Sequence, residues 1–360
     1  MTVKNMIITK ADVKVVKAPL VSPFRISSGQ HDELQNVFLR IKLCSGVEGF
    51  GEAAVATHIT GETVPVTLLN LKEASRALKG RDISDYRVIC QEFRSFFKNN
   101  HAALAAFEMA VLDAWCRSQK MPLWKLFGKR AQRFSTDITI VIGTLKEAEE
   151  GVRDFYKRGF RVFKIKIGRD EGEDLLRVKA VARLAPRAKI ILDANQAYDS
   201  RRMLEFLSML RSVHIVPQLL EQPVPRDDWE GLAELTRESG ILVCADESVK
   251  SLEDARKAVG LQAVSAINIK FMKSGILEAE EIVRFARSHG IKLMMGAMME
   301  SALSITAAAH FTAGLGDFDF VDLDTTFFIK GPFSRTPVID KRGYFDVSKE
   351  TSGIGLKIKM

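Results

Sequence analysis

From residue 135 onward, short apolar runs and amphipathic stretches alternate at a steady interval. Strand-like segments occur at TDITIVIG (136–143), FKIKIG (163–168), KIILDANQ (189–196) and PQLLEQPV (217–224). They continue at ILVCADES (241–248), AINIKFMK (266–273), IKLMMGAMM (291–299) and FDFVDLDTTF (318–327), at a spacing of roughly 24 to 28 residues. Between them lie amphipathic helical patterns such as EDLLRVKAVARLA, RRMLEFLSMLR, SLEDARKAVG and EAEEIVRFARSHG. Strand then helix, repeated at this interval, predicts a parallel (β/α) barrel. A doubly wound open sheet is the alternative, but no Gly-x-Gly-x-x-Gly turn follows the first strand to favour it.

The chain before this repeat is patterned differently. Strands are expected at ADVKVVKAPL and within NVFLRIKLCSGVEGFGEAAV, and helix from about Pro65 to Ser118. The expected division is an α+β capping domain at 1–130 and the barrel with its site at 131–327. A final segment, 328–360, has no helix to close the barrel and is expected to fold back onto the first domain.

Composition narrows the class. Of 360 residues, 46% are hydrophobic and 27% charged, the balance of a globular protein with a sizeable core. No apolar run approaches the ~18 residues of a membrane span, so no membrane partner is expected. The opening MTVKNMIITKADVKVV alternates like a strand and lacks a signal peptide's apolar block, which points to the cytoplasm. Cys44, Cys90, Cys116 and Cys244 form no Cys-x-x-Cys pair, and their apolar contexts predict reduced, buried thiols. The net charge of +8 is spread through helical patterns and mixed with acids. It reads as a solvated surface, with no nucleic-acid partner.

The chemistry gathers where a barrel keeps it, at the carboxyl-terminal ends of the strands. Those ends carry Lys164 and Lys166, Asp193 and Asn195, Glu221, Asp246 and Glu247, Lys270, Glu300, and finally Asp322 and Asp324. Singly, each has a plain alternative. Asp193 or Asp246 could cap the next helix, Glu221 could sit in a turn, and the two lysines could face water. Together, three successive strands each end in a carboxylate, with lysines on either side. Three converging anions repel one another unless a hard cation lies between them, and Mg²⁺ prefers such oxygen donors. Lys164 and Lys166, two apart on one strand, would then face the barrel mouth and an anionic ligand.

The set KIK, DANQ, EQP, ADES and NIKFMKSG resembles the enolase superfamily, in its muconate-lactonizing subgroup. AAFEMAVLDAWCRSQKMPLWKLFGKR is similar to the helix and linker that lead into that barrel. The resemblance covers nearly the whole chain and implies a (β/α)₇β barrel capped by an α+β domain built from both ends of the chain. It implies one Mg²⁺ per subunit held by Asp193, Glu221 and Asp246, and abstraction of a proton α to a carboxylate through an enediolate. Lys166 is the expected base on one face and Lys270 the acid/base on the other, with Lys164 neutralising the substrate carboxylate. Thr136, Ala297 and Met298 are further expected substrate contacts, and Asn195, Glu247 and Glu300 expected supports. A homo-oligomer is expected.

Two lysines on opposite faces support racemisation or epimerisation, and equally cycloisomerisation or dehydration. Asp322 and Asp324, two apart in VDLD, resemble the pair by which dipeptide epimerases hold the free α-amino group. The alternative is that one caps a turn and the other pairs with a lysine. The expected activity is epimerisation of the C-terminal residue of a dipeptide. An N-acylamino acid racemase, an o-succinylbenzoate synthase and a muconate cycloisomerase are the alternatives on the same scaffold, and a non-enzymatic basic binding protein the alternative outside it. Substrate choice is expected from PFRISSGQHDE (23–33) and THITGET (57–63). Arg25 comes too early in the first of these to suit a glutamate-selective site, while Asp32, Glu33 or Glu62 could favour a cationic side chain or equally lie on the surface.

Overall fold

The computed structural model describes residues 6–27 and 29–358. Its first part is an antiparallel sheet of β1 (Ile8–Ile26), β2 (Gly29–Leu43) and β3 (Glu48–Ala53). Helices α1 (Thr57–Thr60), α2 (Val64–Leu78), α3 (Tyr86–Phe96) and α4 (His101–Ser118) follow. The alanine-rich α4 lies against β3, where Gly49 and Gly51 carry no side chain. A Cβ on Gly51 would stand 1.9 Å from the Ala106 carbonyl oxygen, so small residues on both partners set this close approach.

After a two-residue strand, β4 (Phe134–Ser135), the expected alternation runs its course. The strands are β5 (Ile138–Ile140), β6 (Val162–Lys166), β7 (Lys189–Asp193), β8 (Leu219–Glu221), β9 (Leu242–Ala245), β10 (Ala266–Ile269), β11 (Lys292–Gly296) and β12 (Phe320–Asp322). They lie side by side in chain order and are parallel, forming a nearly closed barrel. The intervening helices are α5 (Leu145–Arg158), α6 (Glu171–Leu184), α7 (Ser200–Ser212), α8 (Trp229–Glu238), α9 (Leu252–Gly260), α10 (Phe271–Ser274), α11 (Ile276–Ser288) and α12 (Ala302–Leu315). Most begin on a capping side chain: Thr144 in a reciprocal box with Glu147, then Asp170, Asp199, Asp228, Ser251 and Ser301. The caps of α7 and α9 are therefore Asp199 and Ser251, which removes the capping explanation for Asp193 and Asp246.

The gap between β12 and β5 is bridged outside any ladder. Asp137 N–H donates to Val321 O at 2.8 Å, and Leu323 N–H to Thr136 Oγ1 at 2.8 Å. Past β12 the chain returns to the N-terminal part: Lys330 N–H donates to Pro19 O and Ile354 N–H to Asp113 Oδ1 on α4, and β13 (Tyr344–Phe345) pairs with β4.

Glu52 at the end of β3 docks the cap onto the barrel. Its oxygens accept Ser301 N–H at 2.8 Å, Ser301 Oγ at 2.5 Å and Ser304 N–H at 3.1 Å, all at the start of α12. Asn36 joins the same knot and also donates to Met299 O at 2.9 Å. Among the described residues no helix is long and apolar enough to cross a membrane. Cys90, Cys116 and Cys244 are free and buried, but Cys44 is exposed, in the turn that follows β2.

Candidate active site

Parallel register lines up the carboxyl-terminal ends of the central strands. Lys166 pairs with Asp193 and Asp193 with Glu221, so the three stand abreast at the top of β6, β7 and β8. Asp246 lies just past β9 and Lys270 just past β10. All of these are buried, Lys164 at 1% exposure and Asp193, Glu221 and Asp246 at 0%. The lysine face of β6 does not meet bulk water.

The ammonium groups and carboxylates form one ionic cluster. Lys164 Nζ lies 2.9 Å from Asp193 Oδ2, 2.8 Å from Glu221 Oε2 and 2.7 Å from Asp322 Oδ2. Lys166 Nζ donates to Asp193 Oδ2 at 2.5 Å and to Asn195 Oδ1 at 3.1 Å. Lys270 Nζ donates to Asp246 Oδ2 at 2.7 Å, and Lys273 Nζ to Asp246 Oδ1 at 2.8 Å and Asn268 O at 2.8 Å. Burial alone would push the Lys164 ammonium down, but Asp193, Asp322 and Glu221 hold it well above its usual value. Lys270 is likewise raised against its burial, chiefly by Asp246. Burial opposes ionisation of Asp193, yet Lys164 and Lys166 bring its carboxyl down to about 2. Glu221 is raised, first by burial and then by Asp193 beside it. The two lysines of β6 thus meet carboxylates rather than each other.

Three carboxylates supply the oxygen donors that a hard dication takes, and Glu221 Oε2 is buried without a hydrogen-bond donor despite its closeness to Lys164. The donor type suits a hard dication. A second acidic group stands nearby: oxygens of Asp137, Asp322 and Asp324 all lie within 4.8 Å of one another. Among the described residues this is the group that closes to such a distance, because Asp193 and Glu221 close on Lys164 instead, and Asp246 on Lys270 and Lys273.

A cavity runs between barrel mouth and cap. Lys166, Lys270, Asn195, Thr139, Asp322 and Asp324 line its polar side. Phe24, Ile26, Ala56, Ile59, Ala297, Met298 and Met299 line the rest, with His31 from the cap hairpin. Asp322 and Asp324 also have protein partners, Lys164 for the first and the Thr139 N–H, at 2.6 Å, for the second. Burial, and Asp322 after it, raise Asp324 to about 7. Glu300 accepts Met298 N–H at 2.8 Å and Ser304 Oγ, shaping the apolar wall. Asn195 donates to Glu247 Oε1 at 3.3 Å, behind Lys166, and Glu247 is pushed to about 7 by burial and then Asp246.

Thr136 departs from its expected place, and the loop residues left open for substrate choice find other partners. Thr136 lies outside the cavity lining, engaged with Val321 and Leu323 at the seam, and Thr139 takes the lining position. Glu62 is buried at the start of α4, accepting His101 N–H at 2.7 Å and Ala102 N–H at 3.1 Å, so it does not face a substrate. Glu33 pairs with Lys17, and Arg25 with Gln30. None of Arg25, Asp32, Glu33 and Glu62 lines the cavity. Two residues that the sequence reasoning passed over matter here. Gln222 accepts Asp246 N–H at 2.9 Å and Ser248 N–H at 3.1 Å, and Lys273 grips Asp246; both lie inside the quoted EQP and NIKFMKSG motifs, which were the available signal.

The chain and its fold are similar to those of known proteins. Residues 10–128 match the mandelate racemase / muconate lactonizing enzyme N-terminal domain, and residues 147–360 the enolase C-terminal domain-like family. The chain is 55% identical over 358 residues to a hydrophobic dipeptide epimerase of Citrifermentans bemidjiense, covering 97% of both chains. A solved mandelate racemase/muconate lactonizing protein from Herpetosiphon aurantiacus superposes with a TM-score of 0.93 at 34% identity, covering 99% of both chains. A dipeptide epimerase from Enterococcus faecalis, solved with Mg and the dipeptide L-Leu-L-Tyr, superposes with a TM-score of 0.91 at 31% identity, covering 97% of this chain and 99% of that one.

Proposed function

This chain belongs to the mandelate racemase / muconate lactonizing enzyme family of the enolase superfamily and is an isomerase, and from that premise we propose that it is a Mg²⁺-dependent epimerase of hydrophobic dipeptides. It inverts the α-carbon of the C-terminal residue. The observation that carries the reading is the composition of one cavity: two lysines, two aspartates and an apolar wall that, among the described residues, includes no cap-domain carboxylate or arginine. The relative from Citrifermentans bemidjiense, by its name, acts on hydrophobic dipeptides, which supports the same choice.

Asp193, Glu221 and Asp246 would hold the metal, which would supply neutralisation of the substrate carboxylate. Lys166, in its neutral form, removes the α-proton from one face. Lys270 delivers a proton to the other face through its Nζ, and the roles exchange for the opposite isomer. Lys164 adds positive charge beside the substrate carboxylate. Asp322 and Asp324 receive the substrate ammonium, and Phe24, Ile26, Ile59, Met298 and Met299 enclose apolar side chains while excluding water. Cytoplasmic residence is supported by the free, buried thiols of Cys90, Cys116 and Cys244.

One observation favours a second reading, an N-acylamino acid racemase: Asp322 and Asp324 already have partners in Lys164 and Thr139. A dipeptide library incubated with enzyme and Mg²⁺ in D₂O separates the two. Deuterium should enter the C-terminal α position of free dipeptides with apolar side chains. Labelling confined to N-acyl amino acids would overturn the epimerase assignment.

A further inference from the structure

We propose that Asp137 is a second seat for the Lys164 ammonium, which moves toward it when a divalent cation takes Asp193 and Glu221. The inference rests on the metal reading above. Lys164 Nζ now touches three carboxylates, and two of them, Asp193 and Glu221, belong to the proposed metal set. A dication and an ammonium cannot share those oxygens, because like charges at such separations in a buried site repel strongly. The ammonium must give up both contacts while keeping Asp322, the third.

Asp137 is the group placed to compensate it. It sits on the stretch leading into β5, two residues before Thr139, whose register partner is Lys164. It is 2% exposed, and neither of its side-chain oxygens has a hydrogen-bond partner. One of those oxygens lies within 4.8 Å of Asp322 and Asp324 oxygens, so Asp137 stands inside the barrel, below the site cavity and close to the carboxylate that Lys164 already touches. A buried carboxyl group whose oxygens lack partners is costly. Burial, then Asp322 and Asp324, push this one well above the usual carboxylate range, so an ammonium beside it would favour its anion. A seat shared by Asp137 and Asp322 places the ammonium there, and it leaves the ammonium one hydrogen for a substrate carboxylate. Metal loading then also places a compensated charge beside the subsite for the substrate ammonium.

Crystals of the full chain grown with and without Mg²⁺ test this directly. With Mg²⁺, Lys164 Nζ should leave Asp193 and Glu221 and lie within hydrogen-bond distance of Asp137. An ammonium that stays on the metal carboxylates, or moves away from Asp137, overturns the proposal. Calorimetric titration with Mg²⁺ gives a second readout. Asp137→Asn should weaken binding by roughly tenfold or more, the scale of a lost buried charge partner. In a Lys164→Met background the same substitution should change it less than about twofold, since no ammonium then needs seating. Equal losses in both backgrounds, or no loss in the first, also overturn it. Should Asp137→Asn fail to fold, the pair of crystal structures decides alone. Absence of Mg²⁺ binding by the unaltered chain sinks the metal reading itself, a different outcome from normal binding with an unmoved Lys164.

Discussion

Asp324 Oδ2 accepts the backbone N–H of Thr139 at 2.6 Å, tying the end of the last barrel strand to the first where no ladder joins them. The bond fixes a carboxylate in the cavity wall. Burial, then Asp322, raises that carboxyl to about 7, so it is ionised only above that pH. An ammonium subsite that needs the anion should therefore improve as pH rises through 7, and kcat/KM for dipeptides should climb with it. For the folded state the sign is opposite. A proton held from the usual carboxylate range up to about 7 favours folding at the acid end, and that contribution is lost as pH rises through this window. Asp324→Asn should flatten the climbing limb and cost about 2–5 kcal/mol in kcat/KM, with little change in Mg²⁺ affinity. An unchanged pH profile in the variant would remove Asp324 from the substrate site.

The metal set calls for a choice of substitution that the strand ends alone do not reveal. Asp246→Asn unpairs two buried ammonium groups, Lys270 and Lys273, and should lower folding stability by about 3–5 kcal/mol as well as abolish turnover. Glu221→Gln is milder, since Lys164 keeps Asp193 and Asp322 when it loses the charge of Glu221 Oε2 at 2.8 Å. It should keep a wild-type melting temperature within a few degrees and lose most Mg²⁺ binding by calorimetry. Full activity after exhaustive EDTA treatment would contradict the assignment.

Opposed lysines predict a split between exchange and inversion. Lys166→Ala and Lys270→Ala should each stop net epimerisation, because a proton cannot then be removed from one face and returned to the other. Each variant should still exchange the α-proton of one diastereomer with D₂O, and the two should differ in which one. If both exchanged the same diastereomer equally, a single base would be at work.

Gly296 ends β11 beneath the Lys270 side chain. A Cβ there would stand 2.5 Å from Asn268 Oδ1 and 3.0 Å from Lys270 Cε, so Gly296→Ala should displace the lysine. A displacement of this size at a reacting group should lower kcat by about 100-fold, with a smaller loss of Mg²⁺ affinity because the crowded Asn268 also donates to Glu221 Oε1 at 2.7 Å. Steady-state kinetics beside metal titration distinguish this from general misfolding.

The amino-acid sequence by itself determined the barrel, because each strand-helix unit announces itself locally through period, spacing and capping residues such as Thr144, Asp170 and Ser251. It also determined which side chains crowd the carboxyl-terminal ends, since Lys166, Asp193 and Glu221 each occur at the end of an apolar run. Which atoms meet was beyond it. Lys164 and Asp322 are 158 positions apart and touch only because the first and last strands curl into neighbours. Thr136 and Thr139 are three apart on one segment, and the closure of the barrel sends one to the seam and the other to the cavity. Glu62 looked available from its loop, yet the α4 N-terminus, with unsatisfied N–H groups, claimed it. Local pattern is written in neighbouring residues and can be read along the chain. Charge pairing and burial depend on distances across the fold, and tertiary packing alone decided those.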